Sequence, residues 1–205
     1  LVTAMSAYLL PNGNLLRTAR KSFDVVGNTV QELSWDGEVV WEYTPDSETL
    51  HLHHDVERLP NGNTLVTVWE KKSKAEYLAA GRDPDTVPDD ILWSDAIYEV
   101  KPTGKDTGEV VWRWSAWDHL IQNYDETKAN YGDPAEHPEL IDLNQVRTLT
   151  KKMSDWLHFN SVAYHPERDE ILLSCHGLSE IWVVSRETGK LVYRAGNPQR
   201  YGQGG

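Results

Sequence analysis

The sequence predicts an all-β protein, a β-propeller of four-stranded blades with two helical or loop insertions. Three observations support this fold. A turn motif returns along the chain, a strand–turn–strand pattern follows its copies, and helical signals are confined to two segments. A repeat of about this length, built from short strands, is typical of propeller blades, in which four-stranded sheets are arranged radially around a central channel.

The turn motif is PNGN followed by a strand. LLPNGNLL at 9–16 returns as RLPNGNTLV at 58–66, and the two prolines, Pro11 and Pro60, are 49 residues apart. A degenerate third copy, YHPERDEILLS at 164–174, keeps the proline and the apolar strand. Asn-Gly supplies the positive φ angles of a hairpin turn. The two PNGN copies are therefore predicted to be equivalent hairpin turns in adjacent blades.

A second hairpin follows each turn in the repeat. The segments are VQELSWDGEVVWEY at 30–43, IYEVKPTGKDTGEVVWRW at 97–114 and IWVVSRETGKLVYRA at 181–195. Each combines a strand, a glycine-containing turn and a strand with an aromatic residue. The pattern predicts that Trp41, Trp112 and Tyr193 occupy the same position in three successive blades.

Two insertions interrupt the period, at about 70–95 and 115–152. The first contains KKSKAEYLAAGRDP, which predicts a helix that ends at Gly81. The second begins with SAWDHLIQNY, in which Ser115 and Asp118 have capping-box spacing. Residues 1–205 are then one propeller segment of about three to four blades, with the N- and C-terminal blades expected outside it, since propellers have ~4–8 blades. Long insertions on repeat scaffolds often form the binding face.

Composition excludes several classes of function. The 205 residues carry a formal net charge of −12, which disfavours a nucleic-acid partner because phosphate binding depends on Lys and Arg. No run approaches the ~18 apolar residues of a membrane span, and the first residues lack the pattern of a signal peptide. The single cysteine, Cys175, rules out an internal disulfide and a cysteine-based zinc site.

Histidines precede two of the turns at corresponding places in the repeat. In HLHHD at 51–55, a regular strand would direct His51 and His53 to one face and His54 to the other, so a metal site would need a distortion or further ligands. In DWLHFNSVAYHP at 155–166, His158 and Asn160 would share one strand face. We expect His54 and His158 to converge in one polar channel, and His51 to face packing or solvent.

The remaining histidines have weaker claims to a site. ILLSCHGLSEIW at 171–182 places His176 beside Cys175, but adjacent strand residues point to opposite faces, so the pair is a poor nucleophile and base. We expect His176 near the channel wall. His119, His137 and His165 are expected on the surface.

Four longer motifs span nearly the whole chain: HHDVERLPNGNTL, WDHLIQNYDETKANYGD, DWLHFNSVAYHPERDEILLS and the terminal GNPQRYG. Together they resemble the bacterial arylsulfotransferase family, whose members do not use a nucleotide sulfate donor. The resemblance implies a six-bladed propeller, export to the periplasm or cell surface, and transfer of a sulfuryl group from an aryl sulfate to a phenol through a transient sulfohistidine, with no cofactor. The partners would be these small molecules and the remainder of the propeller; the sequence leaves homo-oligomerisation open.

The resemblance also implies site residues. His54, His158 and His176 are the predicted catalytic residues, and His53 and Asn160 the predicted substrate-binding residues, with no metal. The family's nucleophilic histidine is expected beyond Gly205. His176 stands where the best-known members carry a sulfate-binding arginine, which weakens anion binding because an unperturbed histidine is mostly neutral near neutral pH.

Two other functional classes fit the same residues. One is a lyase or hydrolase on the same scaffold, using a metal held by these histidines. The other is a propeller that binds a ligand without catalysis.

Overall fold

The computed structural model describes residues 2–20, 29–45, 48–145, 154–196 and 198. Fourteen β-strands and three short helical segments make up this part of the chain, so the all-β prediction is confirmed. None of the helices among the described residues has the length and apolar character needed to cross a membrane.

Twelve of the strands form three antiparallel four-stranded sheets, each with its strands in chain order. Sheet 1 contains β1 (Val2–Leu9), β2 (Leu15–Arg20), β3 (Thr29–Leu33) and β4 (Val39–Tyr43). Sheet 2 contains β5 (Leu50–Arg58), β6 (Thr64–Ser73), β7 (Ile91–Pro102) and β8 (Gly108–Ser115). Sheet 3 contains β11 (Phe159–His165), β12 (Glu170–Cys175), β13 (Glu180–Ser185) and β14 (Leu191–Ala195). The predicted four-strand unit is therefore present three times.

The two PNGN motifs form the same turn, as predicted. Gly13 and Gly62 have φ angles of 85° and 87°, a region that residues with a Cβ atom rarely adopt. Each glycine N–H donates to the carbonyl of the leucine before the proline, in both cases across about the same distance (2.9 and 3.0 Å). In the degenerate third turn the left-handed residue is Asp169, with φ 51°.

The aromatic positions of the three sheets are also equivalent. Trp41, Trp112 and Tyr193 pair across the strands with Glu32, Glu99 and Val183, respectively. In each sheet the strand register shifts directly after that pair. This common irregularity confirms the repeat alignment that the sequence predicted.

The asparagines of the turns connect sheet 1 to sheet 2. Asn12 and Asn14 both donate side-chain hydrogen bonds to Glu32, at 3.3 and 2.6 Å. Glu32 pairs with Arg58 of sheet 2 at 2.5 Å, and the Arg58 guanidinium lies over the Trp41 ring, 5.4 Å from its centre. We call these five residues the first lock.

The same arrangement connects sheet 2 to sheet 3. Asn61 and Asn63 donate to Glu99, which pairs with Arg186, and Arg186 lies 5.0 Å from the centre of the Trp112 ring. We call these residues the second lock. Together with apolar clusters that join sheet 1 to sheet 2 and sheet 2 to sheet 3, the locks order the sheets in space as they are ordered in the chain.

The predicted helical signals lie between and after the strands of sheet 2. Helix α1 (Lys74–Ala79) begins with a capping box between Ser73 and Glu76, and Gly81 follows it with φ 84°. Strands β6 and β7 extend into the predicted first insertion, so the segment between them is shorter than expected. A 3-10 helix follows at Pro84–Thr86.

The second insertion starts with a 3-10 helix at Ala116–His119, whose first turn is capped by the Ser115 side chain. Two short parallel strands follow, β9 (Leu120–Ile121) and β10 (Ile141–Asp142). Residues 146–152, the end of this predicted insertion, lie outside the described residues.

Candidate functional site

The first strands of the three sheets lie side by side and share a buried carboxylate. Asp55 on β5 accepts a hydrogen bond from the Tyr8 hydroxyl of β1 at 2.5 Å and from the Val162 N–H of β11 at 3.0 Å. Asp55 is 5 % exposed. Burial, followed by the hydrogen bond to Asp55, raises the pKa of Tyr8 well above its usual value. Asp55 therefore holds corresponding strands of neighbouring sheets together.

Strands β5 and β11 are irregular where the candidate site lies. On β5 the register shifts between His53 and Val56, and His54 has a φ angle of 42°. Thr67 of β6 supports this bulge, since its hydroxyl accepts the Asp55 N–H at 3.1 Å and donates to the His53 carbonyl. A bulge interrupts the alternation of side chains. The prediction that His53 and His54 point to opposite faces is thus wrong, because His54 lies in the bulge and its ring contacts that of His53.

His158 precedes β11 in a similar strained conformation, with φ 56°. The carboxylate of Asp95 on β7 accepts the N–H of His158 at 3.0 Å and that of Phe159 at 2.7 Å. The His158 side chain is held by Asp155, whose Oδ2 contacts Nδ1 of the imidazole. Two aspartates therefore fix the backbone and the ring of His158.

The imidazoles of His54 and His158 meet. Their Nε2 atoms are 3.1 Å apart and their ring centres 4.4 Å apart, so the predicted convergence of these two residues is present in the structure. Both residues are partly buried. Burial, followed by the neighbouring imidazoles of His53 and His158, lowers the pKa of His54 to about 4. His54 is therefore neutral near neutral pH.

His176 lies at the edge of this pair, as expected. Its ring centre is 5.3 Å from that of His158, its N–H donates to the His158 carbonyl at 3.2 Å, and its side chain is exposed. Gly177 permits this approach, since a Cβ atom there would lie 2.4 Å from the Trp156 carbonyl oxygen and 2.6 Å from that of Leu157.

His53 lies behind His54. It is 3 % exposed and stacks on the Trp69 ring at 4.3 Å between centres. Its Nδ1 is 3.0 Å from Nδ1 of His54, and its Nε2 is 3.2 Å from Oδ1 of Asp95, a fully buried carboxylate. Both ring nitrogens thus face protein groups. Sequence reasoning missed Asp95, although an aspartate within the largely apolar strand ILWSDAIYEV is a signal that could have marked it.

The remaining predicted residues lie outside the imidazole contacts. Asn160 is exposed and is the extra residue of the β11 bulge. His51 packs edge-on against Trp93 at 4.9 Å, in line with the expectation for this residue.

The other histidines and the cysteine take different places. His119 stacks on Trp114 at 5.1 Å and is partly buried, so it lies less on the surface than expected, whereas His137 and His165 are exposed. Cys175 is fully buried, and burial raises the pKa of its thiol well above the usual value.

A cleft of about 670 Å³ lies elsewhere, between the PNGN turns of sheets 1 and 2, and none of the histidines lines it. Within the described part of the chain, no three His, Cys, Asp or Glu side chains are arranged to hold a metal ion. The candidate site is therefore one chain of side-chain contacts, formed by Asp95, His53, His54, His158 and Asp155.

Comparison with models of protein families shows which family this chain belongs to. The model of the family described as "Arylsulfotransferase (ASST)" matches residues 6–204, nearly the whole chain. The chain belongs to the arylsulfotransferase family. Comparison with curated proteins gives no significant match.

Two solved structures have a distant likeness to this arylsulfotransferase-family chain. A protein of unknown function from Bacteroides caccae is 12 % identical over 93 % of this chain and 60 % of its own, with a TM-score of 0.36. Hydrazine synthase from Kuenenia stuttgartiensis is 12 % identical over 93 % of this chain and 49 % of its own, with a TM-score of 0.49. The chain spans about half to three fifths of these structures, and neither likeness carries an argument about function.

Proposed function

We propose that this chain is part of an enzyme that transfers a sulfuryl group from an aryl sulfate to a phenolic acceptor. The observation that carries the proposal is the pair of Nε2 atoms of His54 and His158, 3.1 Å apart in a family whose model matches the chain almost throughout. Two imidazoles that meet from different sheets form the kind of convergent polar site in which a transferred group can be held.

The scaffold proposed for this chemistry is a six-bladed propeller, of which residues 1–205 supply a segment. Three four-stranded sheets in chain order, joined by two equivalent locks and by adjacent first strands, support a radial arrangement. The insertions near 70–95 and 115–152 would then be local additions to the blades, and the remainder of the propeller would be the partner of this segment. Export to the periplasm or cell surface is part of the same proposal, because the family resemblance implies it.

His54 and His158 would contact the transferred group. Sulfuryl transfer, like phosphoryl transfer, requires in-line positioning and stabilisation of the equatorial oxygens, mainly by hydrogen-bond donors and charge. In the acceptor half-reaction the phenol oxygen forms a bond to sulfur, the bond from sulfur to its carrier breaks, and the phenol proton passes to a base. Nε2 of His158 is suited to accept that proton, because Asp155 occupies Nδ1 of the same ring.

Other residues have smaller parts in the proposal. His176 would contribute weakly at the edge of the site, and exposed Asn160 would contact substrate. His53 was predicted to bind substrate as well, but its burial favours a role through His54. The transient sulfohistidine remains the family expectation, with its nucleophile beyond Gly205.

The test is a transfer assay on the protein that contains this chain. We would incubate it with 4-nitrophenyl sulfate and phenol, and measure 4-nitrophenol, phenyl sulfate and inorganic sulfate. The proposal expects phenyl sulfate that accumulates with 4-nitrophenol. If inorganic sulfate is the only sulfur-containing product, the protein is a hydrolase. If a chelator abolishes the activity and a metal restores it, the enzyme belongs to the metal-dependent class. If the protein binds sulfate without turnover, it is a binding propeller.

The same incubation tests the covalent step. Without acceptor, the intact mass should rise by one sulfuryl group, and peptide mapping should assign it to a histidine. A mass that stays constant while phenyl sulfate still forms would contradict the sulfohistidine route.

A further inference from the structure

The cleft between the PNGN turns is separate from the histidines. It lies where the first strands of sheets 1 and 2 end, and its volume of about 670 Å³ is within the usual range of small-molecule sites, ~300–1,000 Å³. Leucine and proline side chains form much of its wall: Leu9, Leu10, Pro11, Leu59 and Pro60. The cleft can therefore hold the hydrocarbon part of a small molecule.

Most polar groups of the cleft wall are bound to other protein groups. The Tyr8 hydroxyl donates to Asp55, and Glu32 accepts hydrogen bonds from Asn12 and Arg58 within the first lock. Nε of Arg58 has no hydrogen-bond partner among the described residues, but it is buried and cannot reach a ligand in the cleft. These groups therefore fix the wall and are not free to bind a ligand.

Glu57 differs from these groups. It lies half-buried in the cleft wall, and no donor among the described residues bonds to its carboxylate. Burial, followed by the like charge of Asp55, raises the pKa of the Glu57 carboxyl. Both effects disfavour its negative charge, and a cation bound beside it would offset both. An anion would be repelled, because Glu32 and Asp55 add two carboxylates, whereas the described wall contains one cation, Arg58.

The repeat explains why this cleft is open and why it is charged. Between sheets 2 and 3, Arg186 lies over the Tyr164 ring, 5.6 Å from its centre, so two large side chains share that contact. In the repeat, Tyr164 corresponds to Arg58 and Arg186 to Pro102, so between sheets 1 and 2 a proline stands where the second long side chain would extend. Glu57 corresponds to Ala163, so the unpaired carboxylate belongs to this cleft and not to the repeat.

We propose that the cleft binds a small organic cation, an ammonium group on an apolar body, whose charge pairs with Glu57 and whose hydrocarbon part packs on the leucine and proline wall. A carboxylate without a partner and an apolar surface around it are complementary to these two parts of such a ligand. The site is independent of the proposed sulfuryl transfer, because none of the histidines lines the cleft.

Three probes of similar shape and different charge test the proposal: phenethylammonium, neutral phenethyl alcohol and anionic hydrocinnamate. Each is titrated calorimetrically at neutral pH into the protein that contains this chain. We expect a dissociation constant of about 1 mM or lower for phenethylammonium, about tenfold weaker binding of the alcohol and still weaker binding of hydrocinnamate. Equal affinity for phenethylammonium and the alcohol, or no binding of phenethylammonium at about 10 mM, would overturn the proposal.

Glu57→Gln tests the carboxylate, because it removes the charge and keeps the shape of the side chain. Its affinity for phenethylammonium should fall about tenfold, to that of the alcohol, while its affinity for the alcohol stays unchanged. Glu109→Gln is the matched control, because Glu109 is exposed on β8 and lies outside the cleft. Leu9→Ser should weaken the binding of both ligands alike, since Leu9 belongs to the apolar wall. If Glu57→Gln binds phenethylammonium as tightly as the control does, Glu57 is not its partner and the proposal fails.

His54→Ala separates this cleft from the histidine site. This variant should bind phenethylammonium as wild type does, and a loss of binding would place the probe at the histidines and reject the inference. Cation binding without aryl sulfate turnover would support the cleft and reject the transferase, whereas turnover without cation binding would do the reverse. Far-ultraviolet circular dichroism checks that each variant retains its sheets, and the comparison of the three probes on wild type stands even if a variant fails to fold.

Discussion

Replacing Glu99 with glutamine removes one negative charge from the second lock and keeps the shape of the side chain. Glu99 is 3 % exposed, pairs with Arg186, and accepts hydrogen bonds from Asn61 and Asn63. Removing one partner of a buried ion pair costs about 3–5 kcal/mol. Arg186 keeps its ion pair with Asp169 at 2.8 Å and is 15 % exposed, so the cost should lie at the lower end of this range.

We therefore expect Glu99→Gln to lower the free energy of unfolding by about 3 kcal/mol, with the charge on Arg186 left partly unpaired. For a chain of this size, that corresponds to a melting temperature lower by about 6–12 °C. Urea denaturation, followed by tryptophan fluorescence, measures the free energy directly.

The first lock supplies the matched control. Glu32 and Arg58 are more exposed, at 11 % and 16 %, so Glu32→Gln should cost less, about 1.5 kcal/mol, as for a weaker hydrogen bond to a charged group. A double-mutant cycle of Glu99→Gln with Arg186→Met should give a coupling energy of about 0.5–3 kcal/mol. A Glu99 variant as stable as wild type, or a larger loss at Glu32, would refute the reasoning.

Three further predictions concern the site and its surroundings. Gly177→Ala should destabilise the protein by about 1–3 kcal/mol, because its Cβ atom would lie 2.4 Å from the Trp156 carbonyl oxygen. The control Gly62→Ala has open space around the new Cβ atom but a φ angle of 87°, so it should cost about 1–2 kcal/mol through backbone strain alone. Equal urea midpoints for Gly177→Ala and wild type would contradict the clash. Cys175 should resist a thiol-reactive disulfide reagent in the folded protein and react after denaturation, since burial raises the pKa of its thiol; rapid labelling of the native protein would be inconsistent with this burial. The pKa of His54 in the folded protein, about 4, is below its value in the unfolded chain, so the unfolded chain binds more protons between pH 6.5 and 4. The free energy of unfolding should therefore fall as the pH is lowered through that window. It should fall less steeply in His54→Gln, and an unchanged pH profile in this variant would argue against the lowered pKa.

The repeat made much of the architecture predictable from sequence. Proline and Asn-Gly fix local backbone angles, so Pro11 and Pro60 located two equivalent turns, and the strand register then placed Trp41 and Trp112 alike. Gly81 marked the end of the helix for the same local reason. Correspondence between repeats also brought His54 and His158 together, because equivalent positions of neighbouring first strands are close in space.

Long-range partners could not be predicted in this way. Asp95 reaches His53 and the His158 backbone from another strand, and no local pattern gives the direction of its side chain. The bulge at His54 depends on support from Thr67 of the next strand, so a regular strand gave the wrong faces. Arg186 follows β13 in a turn of sheet 3, whereas Arg58 is the last residue of the first strand of sheet 2, and the repeat contains no signal for Arg186.

The central claim is that His54 and His158 contact the transferred sulfuryl group. The most direct measurement is kcat/KM for transfer from 4-nitrophenyl sulfate to phenol by the protein that contains this chain, with His54→Ala, His158→Ala and the exposed-histidine control His165→Ala. The account predicts losses of about 10²–10⁴-fold for the first two variants, with folding intact, and wild-type activity for the control. Activity within about threefold of wild type in either the His54 or the His158 variant would contradict it.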